Sequence, residues 1–285
     1  VALKVVLTPL PGADDRERFF REARALARIR HPNVIPIYDV GEESGLPYYA
    51  MEYVAGETLS AHLAGGLDLR EGVRILARVA RAIDHVHSSG IVHRDLKPGN
   101  VMLDPAGEPR ILDFGLARVD GEAGAALSRS GIRIGTPAYM SPEQAAGRRR
   151  EVDARSDVWA LGTILFELAA RRRAYSGEEY EILQRLLALD PPRVREVAPD
   201  APAAVDAIAG RAMARERDRR YATAGELADD LERWLDGREV LARPAGPIER
   251  TLRFARRRRG SVAAAVLGLV ALGGVAVALS RREGA

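Results

Sequence analysis

Two carboxylates, a lysine and a carboxamide fall within about twenty residues in the stretch His93-Arg94-Asp95-Leu96-Lys97-Pro98-Gly99-Asn100 and, after a short strand-like run, Asp113-Phe114-Gly115. A carboxylate can take a hydroxyl proton, and an ammonium can steady negative charge as it develops. Carboxamide and carboxylate oxygens suit a hard cation such as Mg²⁺. The order of these groups is the one Mg²⁺-dependent phosphoryl transfer requires. In that reaction the protein holds phosphates, neutralises charge and aims the nucleophile.

Such groups need a scaffold, and the flanking sequence supplies its elements. Val1 to Leu7 reads as a strand closed by Pro9 and Pro11-Gly12. Asp14 to Arg30 carries Phe19, Ala23, Leu26, Ala27 and Ile29 at mostly helical spacing. Val34 to Val40 and Leu46 to Val54 read as two strands joined by a Gly/Ser turn. Helices then dominate. Leu69 to Ser89 carries Val73, Leu76, Ala80, Ile83 and His87 along one stripe, ended by Gly90. Val158 to Ala170 is nearly all apolar and predicts a buried helix. Pro202 to Met213 and Ala224 to Leu235 are amphipathic. A small β-rich part thus precedes a larger α-rich one, and no internal repeat is visible.

The 285 residues are 47% hydrophobic and 29% charged, with a formal net charge of +3. That balance does not call for a nucleic-acid partner, because the basic residues cluster locally near the C-terminus. With no cysteine, disulfides and thiolate metal sites are excluded. Arg250, Arg253 and Arg256 to Arg259 precede Ser261 to Ser280, twenty residues without a charge, and Arg281 and Arg282 follow. At about 1.5 Å per residue this run would span roughly 30 Å, enough for a bilayer core. The larger arginine cluster comes first, so the positive-inside rule puts the preceding residues in the cytoplasm.

The octet and Asp-Phe-Gly at this spacing resemble the bacterial eukaryotic-type (Hanks-type) serine/threonine protein kinases. The resemblance runs over roughly Val1 to Leu235. It implies an α+β bilobal protein kinase fold plus one C-terminal transmembrane helix. An incomplete N-lobe would occupy residues 1–54, a helical C-lobe 55–240, a basic juxtamembrane linker 241–260, the membrane helix 261–280 and a tail 281–285. It also implies site residues. Asp95 would be the catalytic base, and Lys97, which in the family accompanies Ser/Thr specificity, would steady the γ-phosphate. Asn100 and Asp113 would hold Mg²⁺. Lys4, in Val1-Ala2-Leu3-Lys4, would contact the α- and β-phosphates and pair with Glu22, with Glu17 the runner-up. Met51 would be the gatekeeper, the Glu52 carbonyl and Val54 amide would bond adenine, Glu57 would approach the ribose, and Met102 would floor the pocket. In the activation segment, Thr136 would bond Asp95 and Lys97, and Ser128 or Ser130 would be autophosphorylated and pair with Arg94. Ser141-Pro142-Glu143 stands where the family usually has Ala-Pro-Glu. His93 packed on Phe114, Asp157 holding the catalytic loop, and Arg220 paired with Glu143 would be structural. His85 and His87 read as a helix-end pair and His31 as a loop residue.

The family's Gly-rich loop belongs on strands before Lys4, and the sequence opens at Val1. The expectation is a fragment of an active, ATP- and Mg²⁺-dependent kinase of protein serines and threonines. It would be single-pass in the inner (plasma) membrane, in contact with bilayer lipid, with its kinase domain cytoplasmic, no nucleic-acid partner, and a homodimer for trans-autophosphorylation. The alternatives are a pseudokinase or scaffold acting as a binding module, or a membrane-anchored receptor.

Overall fold

The computed structural model describes residues 1–6, 12–114 and 137–243, with 13–15 by their backbone alone. Ser128, Ser130, Thr136 and the apolar run 261–280 lie outside these residues. Among the described residues no helix is long and apolar enough to cross a membrane.

Three antiparallel strands, β1 (Ala2–Val5), β2 (Ile37–Glu43) and β3 (Leu46–Met51), pair in the order β1-β3-β2. Ser44 and Gly45 turn β2 into β3 with positive φ at both positions (51° and 78°), the backbone that suits a two-residue hairpin. The register sets Lys4 opposite Tyr49. Opposed residues share a face of the sheet, so the two project to the same side. The strand expected from Val34 starts only at Ile37: Pro36 has no N–H for a ladder, and Val34 bridges Ile111 instead. The next strand ends at Met51, where the Glu52 N–H turns to the Pro36 carbonyl at 3.2 Å.

Helix α1 (Ala13–Leu26) buries Phe19, Ala23 and Leu26. It stops short of the expected Arg30, ahead of His31-Pro32, where proline disfavours helical backbone in the residue before it.

A second small sheet, β4 (Glu57–Thr58), β5 (Val101–Leu103) and β6 (Pro109–Ile111), pairs in the order β4-β5-β6, and the loop 93–100 runs into its middle strand. Its strands of two or three residues are too short to show periodicity. Gly56 enters this sheet so closely that a Cβ would lie 2.0 Å from the Leu103 carbonyl oxygen. Helices α2 (Leu59–Ala64), α3 (Leu69–Ser88), α4 (Pro142–Ala145), α5 (Ala154–Ala170), α6 (Glu179–Ala188), α7 (Val194–Val197), α8 (Ala203–Ala212) and α9 (Ala224–Leu235) build the rest. Asp68 caps α3 by accepting from the Arg70 and Glu71 amides, and Gly90, at φ +75°, follows its end. Helix α5 is buried on nearly every side, as its composition requires. A Cβ on its Gly162 would stand 2.6 Å from the Cβ of Ala212, so glycine lets α5 and α8 approach.

Candidate active site

The catalytic loop is held by a chain of short-range bonds. Lys97 Nζ lies 2.8 Å from Asp95 Oδ2. The Asn100 amide nitrogen donates to the Asp95 carbonyl at 2.8 Å and to Oδ2 at 3.2 Å. That leaves the Asn100 carboxamide oxygen as the end available to a metal. Asn100 is buried beside the edge of β5, in a turn that Pro98 opens.

His93 is fully buried. Its Nε2 lies 3.0 Å from the Leu112 carbonyl, while Nδ1 accepts from the Asp95 N–H at 3.3 Å. These bonds require the Nε2–H tautomer. Burial lowers the His93 pKa, which keeps the ring neutral. Its ring and that of Phe114 lie 4.6 Å apart.

Asp157, at the start of α5, reaches the loop from below. Its Oδ1 accepts from the Arg94 N–H (2.9 Å) and Oδ2 from the His93 N–H (2.8 Å). Arg94 has a left-handed backbone, φ 64°, and its carbonyl accepts from Gln144 Nε2 at 2.7 Å. His87 adds a bond that the sequence did not suggest: its Nε2 lies 2.7 Å from Asp157 Oδ2. A carboxylate only accepts, so His87 donates. Burial acting alone would raise the Asp157 pKa, but the bonds from His87 and the loop bring it below the usual carboxylate value.

Across the cleft, Asp113 sits at φ 51°. Lys4 Nζ is 2.5 Å from its Oδ2, and the Tyr49 hydroxyl donates to its Oδ1 at 2.9 Å. Burial, with Asp113 adding to it, pushes the Tyr49 phenol far up, so it stays protonated and acts as donor. Glu22 does not meet Lys4. Its Oε1 takes Arg18 Nε at 2.9 Å, one helical turn away, and faces Arg94 Nη1 at 3.8 Å. The expected Lys4–Glu22 pair is therefore replaced by Lys4–Asp113. Asp113 lies closer to the lysine, and Arg18 competes for Glu22 from the same helix face. Asn100 and Asp113 offer only oxygen, the donor chemistry of Mg²⁺, and each Asp113 oxygen keeps a lone pair beyond its present bond. The residues present fit that ion.

Met51 ends β3 and, with Tyr49, Leu26 and Phe114, lines a pocket behind the cleft. The Glu52 side chain pairs with Arg110 on β6. Among the described residues, nothing bonds the Glu52 carbonyl or the Val54 amide. Met102 stands on β5 opposite Thr58. Glu57, opposite Leu103, is exposed.

Beneath the site, Glu143 and Arg220 form a buried two-pronged pair at 2.7 and 2.9 Å, with the Ser156 hydroxyl donating to Glu143 at 2.7 Å. Burial alone would raise the Glu143 carboxyl; Arg220 and Ser156 outweigh it and bring it down to about 2. Ser141 caps α4 reciprocally with Gln144.

A family model described as protein kinase domain matches residues 1–215. The chain is 38% identical over 267 residues to the probable serine/threonine-protein kinase PknB of Bifidobacterium longum, covering 87% of this chain and 38% of that protein. It is 43% identical over 236 residues to the DNA damage-responsive serine/threonine-protein kinase RqkA of Deinococcus radiodurans, covering 80% of this chain and 34% of that protein. The chain thus spans little over a third of these curated relatives. A crystal structure of the Mycobacterium tuberculosis PknI kinase domain superposes with a TM-score of 0.64 at 30% identity, covering 81% of this chain and 84% of that one.

Proposed function

We propose, from the premise that this chain belongs to the protein kinase domain family, that the complete protein transfers the γ-phosphoryl group of ATP to serine and threonine hydroxyls of proteins. The observation that carries this reading is the convergence of Lys4 on Asp113, and of Lys97 and Asn100 on Asp95.

In this reading the substrate hydroxyl oxygen attacks the γ-phosphorus, the bond to the β-bridging oxygen breaks, and ADP leaves. Asp95 receives the hydroxyl proton. Lys97 keeps Asp95 oriented and offers positive charge beside the transferring group. Lys4 serves the α- and β-phosphates and fixes Asp113. Asn100 and Asp113 would hold Mg²⁺, whose chemistry is to neutralise phosphate charge. The unengaged Glu52 carbonyl and Val54 amide would receive adenine, with Met51 behind it, Met102 beneath it and Glu57 near the ribose. Autophosphorylation at Ser128 or Ser130, Thr136 bonding to Asp95 and Lys97, dimerisation for phosphorylation in trans, and single-pass anchoring through 261–280 with the kinase cytoplasmic complete the proposal. The uncharged run and its flanking arginines support the anchor.

The test is phosphate transfer by the complete protein with Mg²⁺ and ATP, beside Asp95→Asn and Lys4→Ala. Activity at least a hundredfold above both variants is expected, within the range of general-base effects. Wild type no faster than the variants would reject the reading. Mass spectrometry of active protein should find phosphate between Asp113 and Glu143, and cell fractionation should place the complete protein with membranes.

A further inference from the structure

Tyr49 is a phenol where the inward face of a small sheet could carry any apolar side chain. It is 3% exposed, stands on the middle strand, and is opposed in register by Lys4. The two side chains leave neighbouring strands on the same face and close on one carboxylate. Lys4 takes Asp113 Oδ2 at 2.5 Å and the Tyr49 hydroxyl takes Oδ1 at 2.9 Å.

We propose that Tyr49 is a positioning residue for the metal-binding carboxylate of Asp113, fixing its rotation so that the remaining lone pairs are presented to Mg²⁺. The inference rests on the reading of Asp113 as a Mg²⁺ ligand. A carboxylate pinned at one oxygen can still swing about its Cβ–Cγ bond; pinned at both, it cannot. Lys4 alone cannot supply the second restraint, because its ammonium is one point charge on a flexible stem. The Tyr49 ring is held by packing on a paired strand, and its hydroxyl donates to a charged acceptor, the stronger class of hydrogen bond. Partners that orient a metal ligand without touching the metal typically alter metal affinity by about 10- to 100-fold when removed.

The experiment follows binding of fluorescent methylanthraniloyl-ADP to the complete protein as Mg²⁺ is raised from an EDTA baseline. Tyr49→Phe, which keeps the ring and deletes one oxygen, is compared with wild type, and the same change is made on an Asp113→Asn background. The half-saturating Mg²⁺ concentration should rise about tenfold for Tyr49→Phe. Nucleotide affinity in EDTA should stay within about twofold, and the change should add nothing once Asp113 is Asn. A Mg²⁺ midpoint equal to that of wild type overturns the proposal. So does a lower midpoint, which would make the hydroxyl a competitor of the metal, and so does an equal effect on the Asp113→Asn background, which would make it packing alone. If wild type itself binds the nucleotide with no dependence on Mg²⁺, the Mg²⁺ reading of Asp113 fails first and this inference falls with it.

Discussion

Arg94 Nη1 lies 3.8 Å from Glu22 Oε1, so the residue before the proposed base shares the glutamate expected to pair with Lys4. Both partners are about a third exposed, and pairs of that kind contribute at most about 1 kcal/mol. Glu22→Gln should therefore shift the urea unfolding free energy by under about 1 kcal/mol. If turnover needs Glu22 to leave Arg18 and Arg94 for Lys4, the same variant should lose about tenfold or more in phosphoryl-transfer rate, some 1.4 kcal/mol of barrier. Initial rates at saturating ATP decide it. An unchanged rate would mean that Asp113 alone suffices to hold Lys4.

Glu143 and Arg220 make the opposite kind of pair, buried and two-pronged. Arg220→Ala leaves an uncompensated buried carboxylate and should destabilise the fold by roughly 3–5 kcal/mol. The Glu143 carboxyl sits near 2 in the fold against an ordinary 4.5. Its contribution is then complete above pH 4.5 and drains away as pH falls towards 2. Denaturation midpoints taken across that window should fall for wild type. Glu143→Gln, less stable at neutral pH, should show a flatter profile over the same range.

Such partnerships mark the boundary of what the sequence discloses. Asp95, Lys97 and Asn100 are legible because five residues of turn hold them together whatever the rest does. Helices such as α5 and α9 are legible because apolar composition, periodicity and caps are local. Tyr49 and Asp113 are separated by 64 residues, and His87 and Asp157 by 70. Nothing in Pro47-Tyr48-Tyr49-Ala50-Met51 says which tyrosine faces the cleft until the register with β1 is known. A usable signal did exist: a polar-tipped residue on the strand face shared with a functional lysine. His87 had one too, as the last inward position of α3's stripe. Lys4 and Glu22 mislead for a related reason, since which of several carboxylates a lysine meets depends on how α1 sits against the sheet.

Asp157 should be as sensitive as its bonds are numerous. Replacing it with Ala orphans the buried His93 amide, the part-buried Arg94 amide and the His87 ring at once. Each unsatisfied buried donor costs about 1–3 kcal/mol, so a loss of roughly 3 kcal/mol or more is expected. His87→Ala removes one donor from a carboxylate that keeps two, and should cost less than half as much. Thermal or urea unfolding of the two variants checks the ranking. Equal losses would mean that the backbone bonds add little and that His87 is the main anchor.

Asp230 extends this logic beyond the matched residues 1–215. Fully buried on α9, it accepts from the Tyr221 hydroxyl at 2.8 Å and from the backbone N–H groups of Leu241 and Ala242 at 2.6 and 2.9 Å. One carboxylate thus ties the chain's path after α9 to the loop before that helix. The two amides belong to a segment without a ladder of its own, so they have no other buried acceptor. In Asp230→Ala their hydrogen-exchange protection should drop by at least about tenfold, while Asp95 and Asn100 amides keep theirs. Tyr221→Phe leaves the backbone bonds in place and should preserve protection at 241 and 242, costing only the roughly 1.5–3 kcal/mol of a hydrogen bond to a charged group. Loss of protection in both variants alike would show that the tyrosine, and not the carboxylate, holds this segment down.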